Sequence, residues 1–174
     1  MNYLHEITSG TPEAINTIVE IPRGSKNKYE IDKDSGLIAL DRPAHTAQDF
    51  PFDYGFVPQT WWDDGDPVDV IILASFPIHP GVLVHVRPVG IMNMIDDGDA
   101  DDKVIGVPVT DPRFFNVQDI DDVNPHTLRE MEHFYSTYKR LQDNVVEVAG
   151  FKDKAAAVAA FERGQELYKE KFGN

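Results

Sequence analysis

The sequence predicts an α+β protein in which a β-sheet core comes first in the chain and two helices follow it. Through the first two thirds of its 174 residues, short apolar runs alternate with Gly and Pro, a pattern typical of a small barrel or sandwich. In the last third the period changes, and apolar side chains recur at helical spacing from Leu128 to Leu141. Since no linker or repeat divides the chain, residues 1–174 are expected to form one domain.

Turn residues bound the predicted strands. The turn signal Asp34-Ser35-Gly36 separates residues 28–31 from residues 37–41 and therefore predicts a hairpin. Further strands are expected at residues 15–21, 54–57, 68–73, 81–89, 103–109 and 145–148.

Capping residues mark both predicted helices. Asn124 can cap a first helix and Pro125 can open it, and this helix is expected to reach Leu141. Asp153 can cap a second, alanine-rich helix ending near Lys171. A glycine in that helix, Gly164, is expected to weaken its middle.

The composition excludes several classes of function. Sixteen basic against thirty acidic residues give a formal net charge of −14, which argues against nucleic acids and anionic membranes as partners. The absence of cysteine excludes a disulfide framework, a thiol nucleophile and a thiolate metal site. No apolar signal-peptide segment occurs in the first thirty residues, so a cytoplasmic location is the default expectation.

An acidic turn (residues 64–69) carries three carboxylates in six positions, on Asp64, Asp66 and Asp69. Gly65 and Pro67 shape the turn, and an apolar strand follows it directly. The three carboxylates would repel one another unless a positive charge lay among them, and such oxygen clusters suit Mg²⁺ or Mn²⁺. A solvated turn without a metal is the competing interpretation, because short motifs have low specificity.

An acidic loop (residues 96–102) carries five carboxylates in seven positions. An EF-hand does not fit it. Counting from Asp97, Asp102 stands where the EF-hand needs glycine and Pro108 stands where it needs a bidentate glutamate. The alternative to a metal site is again a solvated loop, since blocks of like charge usually are solvated.

Cationic and phenolic side chains are interspersed with these acids. Arginine offers a planar fork to phosphate oxygens, and lysine offers a mobile point charge. The candidates are Lys28, Arg42, Tyr54, Tyr138 and Lys139.

Taken in order, these motifs resemble the family I soluble inorganic pyrophosphatases of prokaryotic type. The resemblance extends from about Ile15 to Leu141, and the last thirty residues add little. The segments that carry it are Glu20-Ile21-Pro22, Lys28-Tyr29-Glu30-Ile31-Asp32, Asp41-Arg42, Asp53-Tyr54-Gly55-Phe56, Asp64-Gly65-Asp66-Pro67-Val68-Asp69, Arg87-Pro88-Val89-Gly90, Asp96-Asp97, Asp101, Lys103 and Tyr138-Lys139.

The resemblance implies a small five-stranded, OB-like β-barrel with two C-terminal helices packed on it. It implies Mg²⁺-dependent hydrolysis of pyrophosphate to two orthophosphates by a metal-bridged hydroxide, without a covalent protein intermediate. Several Mg²⁺ ions per site are expected, with Mn²⁺ or Zn²⁺ as substitutes. It also implies a homohexamer.

The resemblance assigns a role to each matching side chain. Asp64, Asp69 and Asp101 correspond to the ligands of the tightest metal, and Asp69 is also shared with a second. Asp66 corresponds to the carboxylate that accepts a proton from the bridging water. The remaining metal-site acids are Asp96, Glu30 and Glu20. The phosphate-holding groups are Lys28, Arg42, Tyr54, Lys103, Tyr138 and Lys139.

Some positions depart from the family pattern. Phe50 stands where many members have tyrosine, so one phosphate-side hydroxyl is missing, and Asp97 stands where bacterial members often have glutamate. Trp61 and Trp62 are unusually bulky, and a hydrophobic lid or a subunit contact is expected there rather than catalysis. The six histidines lack metal-ligand spacing and are expected at the surface or the core edge.

Three other functions remain as alternatives. A divalent-cation buffer without turnover would share the carboxylates, but four cationic residues argue against it: Lys28, Arg42, Lys103 and Lys139. An OB-type nucleic-acid binder would share the fold but conflicts with the net charge of −14. An inactive relative retained for assembly would lack some of the expected acids, and none is missing here.

Overall fold

The computed structural model describes residues 1–173 and contains ten strands and two α-helices in that range. The strands are β1 (Gly10–Thr11), β2 (Ala14–Ile21), β3 (Asn27–Ile31), β4 (Ile38–Pro43), β5 (Asp53–Phe56), β6 (Asp69–Ile72), β7 (Leu83–Asp96), β8 (Asp99–Ala100), β9 (Lys103–Pro108) and β10 (Val146–Lys152). The helices are α1 (Pro125–Thr137) and α2 (Lys154–Phe172). Within the described residues, no helix is long and apolar enough to cross a membrane.

Five of these strands close into a ring. Hydrogen bonding runs β2-β5-β6-β9-β7, and β7 pairs back onto β2, so the chain forms the small five-stranded barrel that was predicted. Only the β6–β9 pairing within the ring is parallel. Apolar side chains on these strands are fully buried in one core cluster, among them Ile15, Val70 and Val104. Removing this apolar area from water stabilises the closed ring.

The longest strand, β7, makes closure possible. It begins near the predicted position but continues well beyond residue 89, to Asp96. Its register against β9 shifts between Pro88 and Gly90. Its first part also pairs with β2, and its last part pairs with β10. The predicted strand stopped at residue 89, whereas pairing with β10 carries β7 to Asp96, and the shift in register accommodates Pro88.

The predicted hairpin is present as a separate two-stranded sheet, β3–β4, beside the barrel. Ile31 packs with Ile18 and Phe56 of the barrel wall. In addition, the Ile31 amide donates a hydrogen bond of 2.7 Å to the buried carboxylate of Glu20. The hairpin is therefore joined to the barrel by side-chain contacts and not by strand pairing.

The first helix ends earlier than predicted. It stops at Thr137, with Tyr138 as its C-cap, and a short 3₁₀ turn (Arg140–Gln142) follows. The predicted end, Leu141, is 70% exposed and lies in this 3₁₀ turn. The early stop brings Tyr138 and the following Lys139 to the edge of the barrel.

The second helix is capped by Asp153, whose side chain accepts a hydrogen bond from the Ala156 amide, as predicted. Gly164 is buried, and a Cβ atom there would lie 2.4 Å from Val68 Cγ2. The glycine is therefore the point where α2 contacts the barrel closely, which outweighs its low helix propensity.

The two tryptophans differ in environment. Trp62 is 8% exposed and belongs to the core with Val57 and Phe161, so the expectation of a lid or subunit contact is wrong for this residue. Trp61 is half-buried, with its ring edge-on to Phe172.

One buried carboxylate, that of Asp53 at the start of β5, holds two loops together. It is 1% exposed, and its Oδ1 accepts hydrogen bonds from the amides of Arg23 (2.9 Å) and Ile78 (3.0 Å). Its Oδ2 is buried and has no hydrogen-bond partner within the described residues. Burial raises the pKa of Asp53 above its usual value.

We expect Asp53→Asn to stabilise the protein at pH 8 and to have less effect at pH 4. Because the pKa of Asp53 is higher in the folded than in the unfolded state, ionisation between these pH values destabilises the wild type. Asn retains the accepting oxygen without the buried charge, so a gain of roughly 1 kcal/mol is expected at pH 8. Urea unfolding at both pH values measures it, with exposed Asp121→Asn as control. If the variant and the wild type differed in free energy of unfolding by the same amount at both pH values, ionisation of Asp53 would not be the cause.

Candidate active site

A cavity of about 360 Å³ opens at one end of the barrel, where β6 and β9 begin and β7 ends. Hairpin β3–β4 forms one wall and the end of α1 another. It collects every side chain predicted for the site except Arg42. The predicted residues that line it are Glu20, Lys28, Glu30, Tyr54, Asp64, Asp66, Asp69, Asp96, Asp101, Lys103, Tyr138 and Lys139.

A buried lysine lies at the base of the cavity. Lys103 opens β9 and is directly paired with Asp69, which opens the parallel strand β6. The Lys103 ammonium, 2% exposed as a residue, donates to Asp101 Oδ1 (2.6 Å), Asp69 Oδ2 (2.8 Å) and Tyr54 Oη (2.9 Å). All three of its donor hydrogens are therefore used, which fixes its position.

Three carboxylates converge beside this lysine. One oxygen each of Asp64, Asp69 and Asp101 lies within 4.8 Å of the others. The acidic turn that delivers Asp64 is tight, with Gly65 at φ +85° and the Asp66 amide donating to Asp64 Oδ1 at 3.0 Å. These oxygen donors are the kind that Mg²⁺ prefers, so the set fits a hard divalent cation.

The charges in this cluster do not balance. Burial and the neighbouring Asp69 raise the pKa of Asp64 to about 7. Burial also raises the pKa of Asp69, although Lys103 opposes that change. Burial acts to raise the pKa of Asp101 too, but Lys103 outweighs it and the net direction is down. The single positive charge of Lys103 is thus too small to balance the negative charge of three carboxylates. A divalent cation would supply the missing positive charge.

Two acids on the hairpin side differ in burial. Glu20 is 4% exposed, and burial together with the charge on Asp69 raises its pKa. Glu30 is exposed and accepts a hydrogen bond of 2.6 Å from Lys28, which also donates to Asp41 at 3.0 Å. Asp41 was not predicted as a site residue. Asp41 directly precedes Arg42, which pairs with Lys28 across the hairpin. This position could have indicated from the sequence that Asp41 lies near Lys28.

On the opposite wall, Asp96 at the end of β7 forms an ion pair with Lys139. Asp96 Oδ1 is buried without a hydrogen-bond partner within the described residues.

Tyr138 lines the cavity and stacks on the Phe134 ring, with the ring centroids 5.2 Å apart. Burial raises the pKa of Tyr138, so its phenol remains a hydrogen-bond donor.

Arg42 lies outside the main cavity. It lines a small adjacent cleft with Lys28 and Tyr138 and pairs with its neighbour Asp41. Phe50 borders the same cleft and packs against the rings of Phe134 and Tyr138. Sequence reasoning missed Lys33, which also lines the cavity, because a lone lysine in a turn gives no signal.

The fold and site combine a small closed barrel with a cavity at its end in which carboxylate and ammonium groups lie side by side. A family model described as inorganic pyrophosphatase matches residues 17–169. The inorganic pyrophosphatase of Haloferax volcanii is 46% identical over 96% of this chain and 95% of its own. That of Synechocystis is 44% identical over 89% of this chain and 92% of its own. The crystal structure of the Thermus thermophilus inorganic pyrophosphatase superposes with a TM-score of 0.93 at 42% identity, covering 97% of this chain and 99% of that one.

The chain therefore belongs to the inorganic pyrophosphatase family, as a soluble family I member. The resemblance drawn from its motifs is confirmed, as is its assignment to the inorganic diphosphatases among the hydrolases.

Proposed function

We propose that this protein hydrolyses inorganic pyrophosphate to two orthophosphates with Mg²⁺ as its cofactor. The observation that carries the proposal is the trio Asp64, Asp69 and Asp101 beside buried Lys103, in a cavity lined by further lysine–carboxylate ion pairs. Family membership and the names of the relatives support the substrate.

In the proposal, Asp64, Asp69 and Asp101 hold the most tightly bound ion, and Asp69 also faces a second. Asp96 and Glu30 hold further ions, with Glu20 on the same acidic rim. When bound, Mg²⁺ supplies positive charge that stabilises phosphate oxygens and lowers the pKa of a water molecule. Mn²⁺ or Zn²⁺ are the expected substitutes.

The ion pairs across the cavity would exchange partners when substrate and cations enter. Lys139 is paired with Asp96, and Lys28 is paired with Glu30. A phosphate anion offers each lysine a new partner, and a cation offers each carboxylate one. Both exchanges preserve local charge balance, so neither leaves an uncompensated charge in the cavity.

The remaining polar groups would orient the two phosphates. Tyr54 and Tyr138 present phenol donors that burial keeps protonated, since it raises the pKa of each. Lys103 supplies a fixed positive charge, and Arg42 would reach the substrate from the adjacent cleft. Such preorganised donors stabilise charge that develops on a leaving phosphate.

Asp66 is the proposed proton acceptor for the attacking water. Its side chain is 52% exposed, it lines the cavity, and it lies outside the carboxylate trio. A carboxylate in that position can take a proton without giving up a metal contact.

The lysines that line the cavity disfavour a pure cation buffer, because such a protein would gain nothing from cations beside its carboxylates. The net charge of −14 disfavours a nucleic-acid binder. The soluble family supports the proposed cytoplasmic location, and a homohexamer is proposed from the same resemblance. Sedimentation of the purified protein tests the assembly, and a monomer would contradict it.

Orthophosphate release from pyrophosphate tests the function directly. We expect rapid release with Mg²⁺, loss of release when the metal is chelated and its return when Mg²⁺ is added back. ATP as a parallel substrate measures selectivity. No release from folded protein that binds Mg²⁺ would instead favour the cation-binding alternative.

A further inference from the structure

Lys33 connects the two parts of the molecule that form one side of the cavity. It lies in the turn that joins β3 to β4, where Asp32 Oδ1 accepts the amides of Asp34 (3.0 Å) and Ser35 (2.8 Å) and so fixes the backbone. Its ammonium donates to the Gly65 carbonyl at 2.8 Å. The same ammonium forms an ion pair with the Asp66 carboxylate.

The contact matters because the hairpin is not part of the barrel sheet. The hairpin carries Lys28 and Glu30, while the acidic turn carries Asp64 and Asp66. Lys33 therefore fixes the distance between two groups of site residues that the backbone hydrogen bonds of the sheet do not connect.

Asp66 depends on this contact more than its neighbours do. Within residues 1–173, Lys33 is the one cation within ion-pair distance of the Asp66 carboxylate. By contrast, Asp69 and Asp101 are both held by Lys103. With a half-exposed side chain, Asp66 would otherwise sample several rotamers.

We propose that Lys33 is a positioning residue for hydrolysis, holding the Asp66 carboxylate and the Gly65 turn against the hairpin so that Asp66 faces the cavity. The inference rests on the proposed function and extends it to a residue outside the predicted site. The Lys33 ammonium and Asp66 carboxylate are both half-exposed, so their ion pair contributes little to global stability. An effect on turnover would therefore not arise from unfolding.

The chain provides a matched control. Lys33 and Lys171 both lie over the Trp61 ring, with ammonium-to-centroid distances of 5.3 and 4.2 Å. Only Lys33 also reaches the acidic turn. Methionine in place of either lysine keeps the apolar stem on the indole and removes the charge.

The test measures kcat and KM for pyrophosphate at saturating Mg²⁺. Lys33→Met is expected to lower kcat about tenfold with KM nearly unchanged, since misplacement of a reacting group acts on the chemical step. Lys33→Arg should recover most of the loss, and Lys171→Met should behave as wild type. In an Asp66→Asn background, Lys33→Met should cause no further loss, because the two residues act as one unit.

Wild-type kcat in Lys33→Met would overturn the inference, as would a change confined to KM. An equal loss in Lys171→Met would show that both lysines only support Trp61. If Lys33→Met lowered kcat as much in the Asp66→Asn background as in the wild type, Lys33 would act on turnover through a residue other than Asp66. Failure of the wild type to hydrolyse pyrophosphate would refute the proposed function itself, so the two failures are distinguishable.

Discussion

Asp66→Asn is expected to lose most of its turnover while it retains Mg²⁺ binding. The substitution keeps the shape of the side chain and removes its ability to accept a proton. General-base contributions of this kind are worth on the order of 10²–10⁴ in kcat. Because Asp66 lies outside the carboxylate trio, calorimetric titration should give nearly the wild-type Mg²⁺ affinity.

The neighbouring Asp63→Asn is the control for this variant. Asp63 is three positions away and exposed, and it forms a two-point ion pair with Arg163 at 2.8 and 3.0 Å. It does not line the cavity. Near-wild-type kcat in Asp66→Asn at saturating Mg²⁺ would remove Asp66 from the role of proton acceptor, whereas a joint loss in both variants would point to a disturbed turn.

The positions of some candidate site residues can be understood from the local sequence once the strand pairing is known. Asp69 and Lys103 each precede an apolar run, and the parallel register of β6 and β9, which was not predicted, places them side by side. The hairpin and the cap at Asp153 were predictable, because turn and capping chemistry is local.

Features that depend on distant contacts were not predictable in the same way. β7 pairs with four strands, β2, β8, β9 and β10, so its length depends on residues that are distant in the sequence. Similarly, α1 ends at Thr137 although the apolar spacing continues to Leu141. Trp62 looked like a surface feature because its sequence neighbours are acidic, yet it packs into the core. Lys33 has no motif at all, and only the folded chain brings it to Asp66.

Asp69→Asn tests the other half of the site, and its main expected effect is on metal affinity. Asp69 is the member of the trio that is directly paired with Lys103 in the sheet, and its carboxylate accepts a hydrogen bond from the Lys103 ammonium. Its position is therefore fixed, and we expect no neighbouring carboxylate to take its place when it is removed. Loss of supporting groups around metals costs 10–100-fold in affinity, and loss of a direct ligand should weaken Mg²⁺ binding on the order of 100-fold.

The protein should nonetheless remain folded in this variant, because Lys103 keeps its contacts with Asp101 (2.6 Å) and Tyr54 (2.9 Å). Raising the Mg²⁺ concentration should therefore restore part of the activity, which separates a binding defect from a catalytic one. Asp102→Asn is the control, since that carboxylate accepts the Met94 amide at 3.1 Å and does not line the cavity. If the Mg²⁺ requirement of Asp69→Asn equals that of the wild type, Asp69 is not a metal ligand and the trio must be replaced by a site centred on Asp64 and Asp101.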